Sequence, residues 1–182
     1  MALPSSPHTP ETETTVIRRI LLPLDGSSSA ESSARFCRFF ARAFEGTRVL
    51  ALRVVERDAV DDLVSVDARL RRAEATSYLE GTARKLESRG LDVEVRVAHG
   101  EPAEEILEAA GAWDADLVVL SAHGLGSSAR FRAGGTANKV ISAARTSILL
   151  ERDEGPGAPV ASDDLERIVV PVDGSPRGDW GL

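Results

Sequence analysis

Two stretches of this 182-residue chain gather side chains that could do chemistry together. One is Asp25-Gly26-Ser27, where a short apolar run ends. The other is a glycine-rich loop carrying Gly124, Gly134 and Gly135, the hydroxyls of Ser127, Ser128 and Thr136, and the charges of Arg130 and Arg132. Glycines let a backbone approach a polyphosphate and take positive φ, so that successive N–H groups point at the anion. A helix starting at Thr136 would turn its positive N-terminal end to the same place. Hydroxyls and guanidinium groups complete an anion site. Such residues suit holding a phosphate more than breaking a bond. No Gly-Lys-Ser/Thr occurs, so a P-loop is excluded, and Asp-Gly-Ser-Ser-Ser replaces the spaced glycines of a dinucleotide fingerprint. Lys139 falls inside a helical stretch, which does not fit response-regulator chemistry. No paired carboxylates, metal cluster or Ser-His-Asp set stands out, so a dedicated enzyme is the weakest class. Plainer readings stand beside these. Asp25 also suits a turn residue that caps a helix, and the loop also suits a simple strand-to-helix connection. His123 has no partner base or nucleophile nearby and reads as structural.

The elements that must position these residues follow from the apolar pattern. Arg19 to Asp25 is a buried strand, and Ser27 to Ser29 offer caps for a helix running to about Glu45. Its stripe is Ala30, Ala34, Cys37, Ala41 and Phe44, which places Cys37 in the core. A second strand spans Thr47 to Glu56, and a long helix runs from about Val66 to Arg89, stopped by Gly90. Asp92 to Ala98 is a third strand, and Gly100-Glu101-Pro102 opens a short helix. Ala115 to Ala122 is a fourth strand, a helix covers about Thr136 to Ala144, and Ser147 to Arg152 is a fifth strand. This alternation predicts an α/β domain with a doubly wound parallel sheet and helices on both faces. In such sheets ligands bind beyond the C-terminal strand ends, where both chemical stretches fall.

Composition bounds the rest. Hydrophobic residues at 42% support a folded core, and a net charge of −7 argues against a nucleic-acid partner. Cys37 is the sole cysteine, which excludes an intrachain disulfide and zinc-type cysteine clusters and fits a cytoplasmic location. Residues 1–15 are rich in Ser, Pro, Thr and Glu and read as a disordered leader, neither signal peptide nor membrane anchor. Residues 16–152 form the folded domain and 153–165 a linker. Arg167 to Ser175 (RIVVPVDGS) repeats Arg19 to Ser27 (RILLPLDGS), so residues 166–182 read as the first strand and turn of a second, truncated domain. A lone strand cannot bury itself, so Ile168 to Val172 is expected to pair with a sheet edge or to stay disordered.

From Ile17 to about Glu151 the chain resembles a universal stress protein domain. The resemblance rests on ILLPLDGS, LRVV, HGEPAEEI and the block LSAHGLGSSARFRAGGTANKVISAARTSILL. It implies five strands in the order 3-2-1-4-5 and a homodimer built through the fifth strand. Nucleotide-binding members carry Gly, two residues, Gly, nine residues, Gly, then Ser or Thr. Here those places hold Ser121, Gly124, Gly134 and Gly135, with Thr136 directly after, so two glycines match and the motif is partial. A serine in the first place would cost at most about 1 kcal/mol if it needs unusual dihedrals.

The resemblance implies ATP, with or without Mg²⁺, in a site formed by Pro23, Asp25, Val54, Leu120, Ser121, Gly124, Gly134, Gly135 and Thr136. Pro23 and Asp25 would line the adenosine end, Asp25 contacting ribose or base, and Val54 would place a backbone group against adenine. The function so implied is a nucleotide-dependent switch or sensor in the stress response, without turnover chemistry, catalytic residues or a protein-held metal. The alternative is a dimerising interaction module with a vestigial pocket, which the departures at Ser121 and Gly135 favour.

Overall fold

The computed structural model describes residues 16–56, 66–122 and 134–152. The elements follow in the expected alternation: β1 (Arg19–Pro23), α1 (Ser28–Ala43), β2 (Arg48–Val55), α2 (Val66–Glu87), β3 (Asp92–His99), α3 (Pro102–Ala112), β4 (Leu117–Ser121), α4 (Gly135–Ala143) and β5 (Ser147–Glu151). All strand pairs are parallel, and the sheet order is β3-β2-β1-β4-β5. The leader, the linker and the repeated RIVVPVDGS lie outside the described residues, as do Gly124, His123, Ser127, Ser128, Arg130 and Arg132.

β1 sits at the centre because it can bury both of its faces. Ile20, Leu21 and Leu22 are fully buried, and strand alternation divides them between the two layers. Ile20 and Leu22 pack with Val49, Ala51, Cys37 of α1 and Leu79 of α2. Leu21 packs on the other face with Leu50, Leu52, Ile106 of α3 and Val140 of α4. Cys37 is fully buried, as its place on the apolar stripe of α1 required. β3 is an edge strand, and none of its residues is fully buried. Among the described residues no helix is long and apolar enough to cross a membrane.

Parallel strands bring all their C-terminal ends to one edge of the sheet. The chain leaves β1 toward β2 on one side, while β4 pairs on the other, so β1 and β4 meet where the strand order reverses. That point is where an open α/β sheet leaves a crevice.

Candidate functional site

The β1–α1 turn is built by its own side chains. Asp25 Oδ1 accepts the Ser27 amide at 2.9 Å and the Ser27 hydroxyl at 2.6 Å. Ser27 Oγ in turn accepts the Ala30 amide at 3.1 Å, making Ser27 the N-cap of α1. Gly26 takes φ +86, a conformation that side chains rarely adopt. Asp25 therefore does hold the turn, but the cap of α1 is Ser27 rather than Asp25. The same geometry fixes its carboxylate at the sheet edge.

At the other side of the crevice, Gly134 donates its amide to Ala122 O at 2.7 Å, bringing together the two ends of the segment between β4 and α4. Ala122 donates to Glu151 O at 2.7 Å, tying the same point to the end of β5. Gly134 is the N-cap of α4, and among the described residues no side chain caps this helix. The starts of α1 and α3 differ, being capped by Ser27 and by Glu101. An α-helix leaves its first amides without internal acceptors, so α4 begins with Gly135, Thr136 and Ala137 presenting theirs.

Between these two structures lies a cavity of about 440 Å³, within the range of small-molecule sites. Pro23, Asp25, Val54, Leu120, Ser121, Gly134, Gly135 and Thr136 all line it. Of the residues expected at a site, Gly124 and the loop's Ser127, Ser128, Arg130 and Arg132 fall outside the described residues. The lining runs from β2 across β1 to β4 and α4, two strand spacings or roughly 10 Å. Leu52 and Val54 mark its β2 side; Leu120, Ser121 and the start of α4 mark the other.

The glycines contribute differently from the expectation. Gly134 has φ −61, and positive φ among glycines is confined to Gly26, Gly46 and Gly90 in the described residues. A Cβ on Gly134 would meet Ala122 O at 3.6 Å, an ordinary contact, and one on Gly135 would meet nothing within 4 Å. Their contribution is empty space at a helix start. Ser121 is also free of positive φ, the only such non-glycine being Asp114 among the described residues. The serine in the first glycine place thus carries no dihedral penalty, since it is an ordinary buried β4 residue.

Several lining residues were not singled out by sequence reasoning: Leu52, Arg53, Glu56, Pro102, Ile106 and Ala137. Leu52 could have been found from strand alternation, because it shares a face with Val54. Pro102 and Ile106 come from α3, whose approach depends on packing. One further contact braces that wall. Lys139 Nζ of α4 lies 2.8 Å from Glu101 Oε1, the cap of α3, and Glu101 Oε2 accepts the Glu104 amide at 3.0 Å. The Lys139 ammonium, followed by the Glu104 amide, holds the Glu101 carboxyl below its ordinary value, and Lys139 is raised in return.

A family-wide sequence model described as the universal stress protein family matches residues 17–152. A universal stress protein of Thermus aquaticus, described by its position in the QAH/OAS sulfhydrylase 3′ region, is 31% identical over 139 residues, which is 75% of this chain and 100% of that protein. The solved structure of the universal stress protein UspA of Lactobacillus plantarum superposes with a TM-score of 0.66 at 24% identity, covering 76% of this chain and 99% of that one. A universal stress protein of Archaeoglobus fulgidus, solved in complex with dAMP, gives a TM-score of 0.55 at 21% identity, covering 75% and 98%. At these identities the structural likenesses concern the fold.

Proposed function

The chain belongs to the universal stress protein family, and from that premise and the cavity just described we propose that it binds ATP at the C-terminal edge of its sheet. The observation that carries this reading is the start of α4 opening onto the cavity, with no side-chain cap among the described residues. Three first-turn amides and the helix dipole favour an anion there. The β2 side supplies Leu52, Val54, Pro102 and Ile106, apolar surface against which a flat base can lie. Asp25 stands between, its carboxylate suited to accepting hydrogen bonds from a ribose diol. The dAMP held by the Archaeoglobus fulgidus protein is the same chemical class of ligand. No group of three or more His, Cys, Asp or Glu side chains that could hold a metal occurs among the described residues. Mg²⁺ would therefore be carried by the phosphates. We read the protein as a cytoplasmic homodimeric switch or sensor in which nucleotide occupancy is the signal.

Calorimetric titration with ATP·Mg²⁺ tests this, using the wild type, Asp25→Asn and Gly135→Leu. Asn keeps the Oδ1 acceptor that Ser27 needs, so α1 still starts correctly. Among the described residues a Cβ at 135 would meet nothing within 4 Å, and residue 135 lines the cavity, so a leucine there is expected to fill part of it. Saturable binding weakened at least about tenfold in both variants supports the site. No heat at millimolar ATP with the fold intact overturns it and leaves the dimerising interaction module.

A further inference from the structure

Arg53 lines the cavity, yet its parity along β2 differs from that of Leu52 and Val54. Leu50, Leu52 and Val54 face α3 and α4, whereas Val49 and Ala51 face α1 and α2, and Arg53 continues that second row. Its side chain accordingly rises behind the β1–α1 turn. Arg53 Nη1 donates to Leu24 O at 3.3 Å, and the guanidinium carbon lies 5.8 Å from the centroid of the Tyr78 ring on α2. A Cβ on Gly26 would sit 3.7 Å from the same nitrogen, so the guanidinium lies directly against the turn. Leu24 is also held from its other side, its amide donating to Leu52 O at 2.8 Å. Burial, followed by the Glu31 carboxylate, pushes the Tyr78 hydroxyl up to about 12, so the phenol stays neutral at neutral pH. A neutral ring with a cation over its face is a favourable arrangement.

We propose that Arg53 is the positioning residue of the site: braced on Tyr78 and bonded to Leu24, it holds the β1–α1 turn so that Asp25 faces the ligand. This rests on the nucleotide reading above. Arg53 acts through Asp25, and Tyr78 of α2 thereby supports a cavity that opens at the edge of the sheet beside the β1–α1 turn.

The test uses Arg53→Met, which keeps the stem and removes the cation, together with Tyr78→Leu, which removes the ring. Without ligand, amide hydrogen exchange at Leu24 and Ser27, whose amides bond Leu52 O and Asp25 Oδ1, is expected to quicken about tenfold in both variants, with Leu21 and Val49 unchanged. Unchanged exchange at the turn overturns the proposal. With ATP, Arg53→Met is expected to weaken binding, and Asp25→Asn to add little in that background. Additive losses would make Arg53 an independent contact and overturn the positioning role. A wild type that does not bind ATP defeats the nucleotide reading, and the exchange measurement then decides the brace by itself.

Discussion

Glu151 Oε1, at the end of β5, lies 2.7 Å from Arg35 Nη2 of α1, and the glutamate side chain is only 4% exposed. Ser32 Oγ donates to the same oxygen at 3.3 Å. A carboxylate is thus taken out of water, and Arg35 and Ser32 of α1 are among the groups that compensate it. The backbone of Glu151 also accepts the Ala122 amide, so this residue fixes both α1 and the point where the chain leaves β4.

Removing Arg35 would take a close cation from that buried carboxylate. Arg35→Met is expected to cost about 3 kcal/mol in urea denaturation, and Arg35→Met with Glu151→Leu to recover much of the loss. A single variant within about 0.5 kcal/mol of wild type would show the pair to be dispensable.

The Glu101–Lys139 pair predicts a pH window. The folded Glu101 carboxyl is below its ordinary 4.5, so its contribution is complete above that value and is lost as pH falls through the folded value. Lys139 is raised above 10.5, so its contribution is complete below that value and fades as pH rises through the folded one. Between those limits both charges are present. NMR titration of Glu101 in Lys139→Met should find its carboxyl moved back up toward 4.5; an unmoved value would assign the depression to the α3 cap alone.

Cys37 is fully buried, and desolvation pushes its thiol up to about 12. Since the thiolate is the reactive form, a thiol reagent at pH 8 should leave the folded protein unlabelled and modify it on denaturation. Being the sole cysteine, it makes the labelling a direct count of opened molecules. Rapid labelling of native protein would contradict the packing of α1 on the sheet.

Two glycine substitutions should separate backbone strain from free space. Gly26 has φ +86 and room around a Cβ, so Gly26→Ala is expected to destabilise by about 1 kcal/mol through conformation alone. Gly135 opens α4 without positive φ and with nothing within 4 Å, so Gly135→Ala should be neutral or slightly stabilising. Urea denaturation of both variants checks the difference, and equal effects would contradict it.

Much of this was legible in the chain itself. The succession of strands follows from apolar runs such as ILL at Ile20 to Leu22, because a strand buried on both faces needs apolar side chains at every position, whereas their order in the sheet came from the family resemblance. The turn at Asp25-Gly26-Ser27 was equally visible, since its hydrogen bonds run between neighbours in sequence and only glycine takes that φ easily. The positions of the other glycines were visible too, but their reason was not. Sequence suggested special dihedrals for Ser121 and Gly134, and the fold shows ordinary ones.

What tertiary structure alone decided concerns groups far apart in the chain. Arg53 reaches Leu24 and Tyr78, Lys139 reaches Glu101, and Arg35 reaches Glu151, each across a layer or between helices. No local pattern encodes such pairs, because charged side chains on helix surfaces and strand ends look alike until packing sets their distances. The same holds for the cavity. Pro102 and Ile106 enter its wall only because α3 packs over β1 and β2 beside α4, a placement that follows from filling the core on that face.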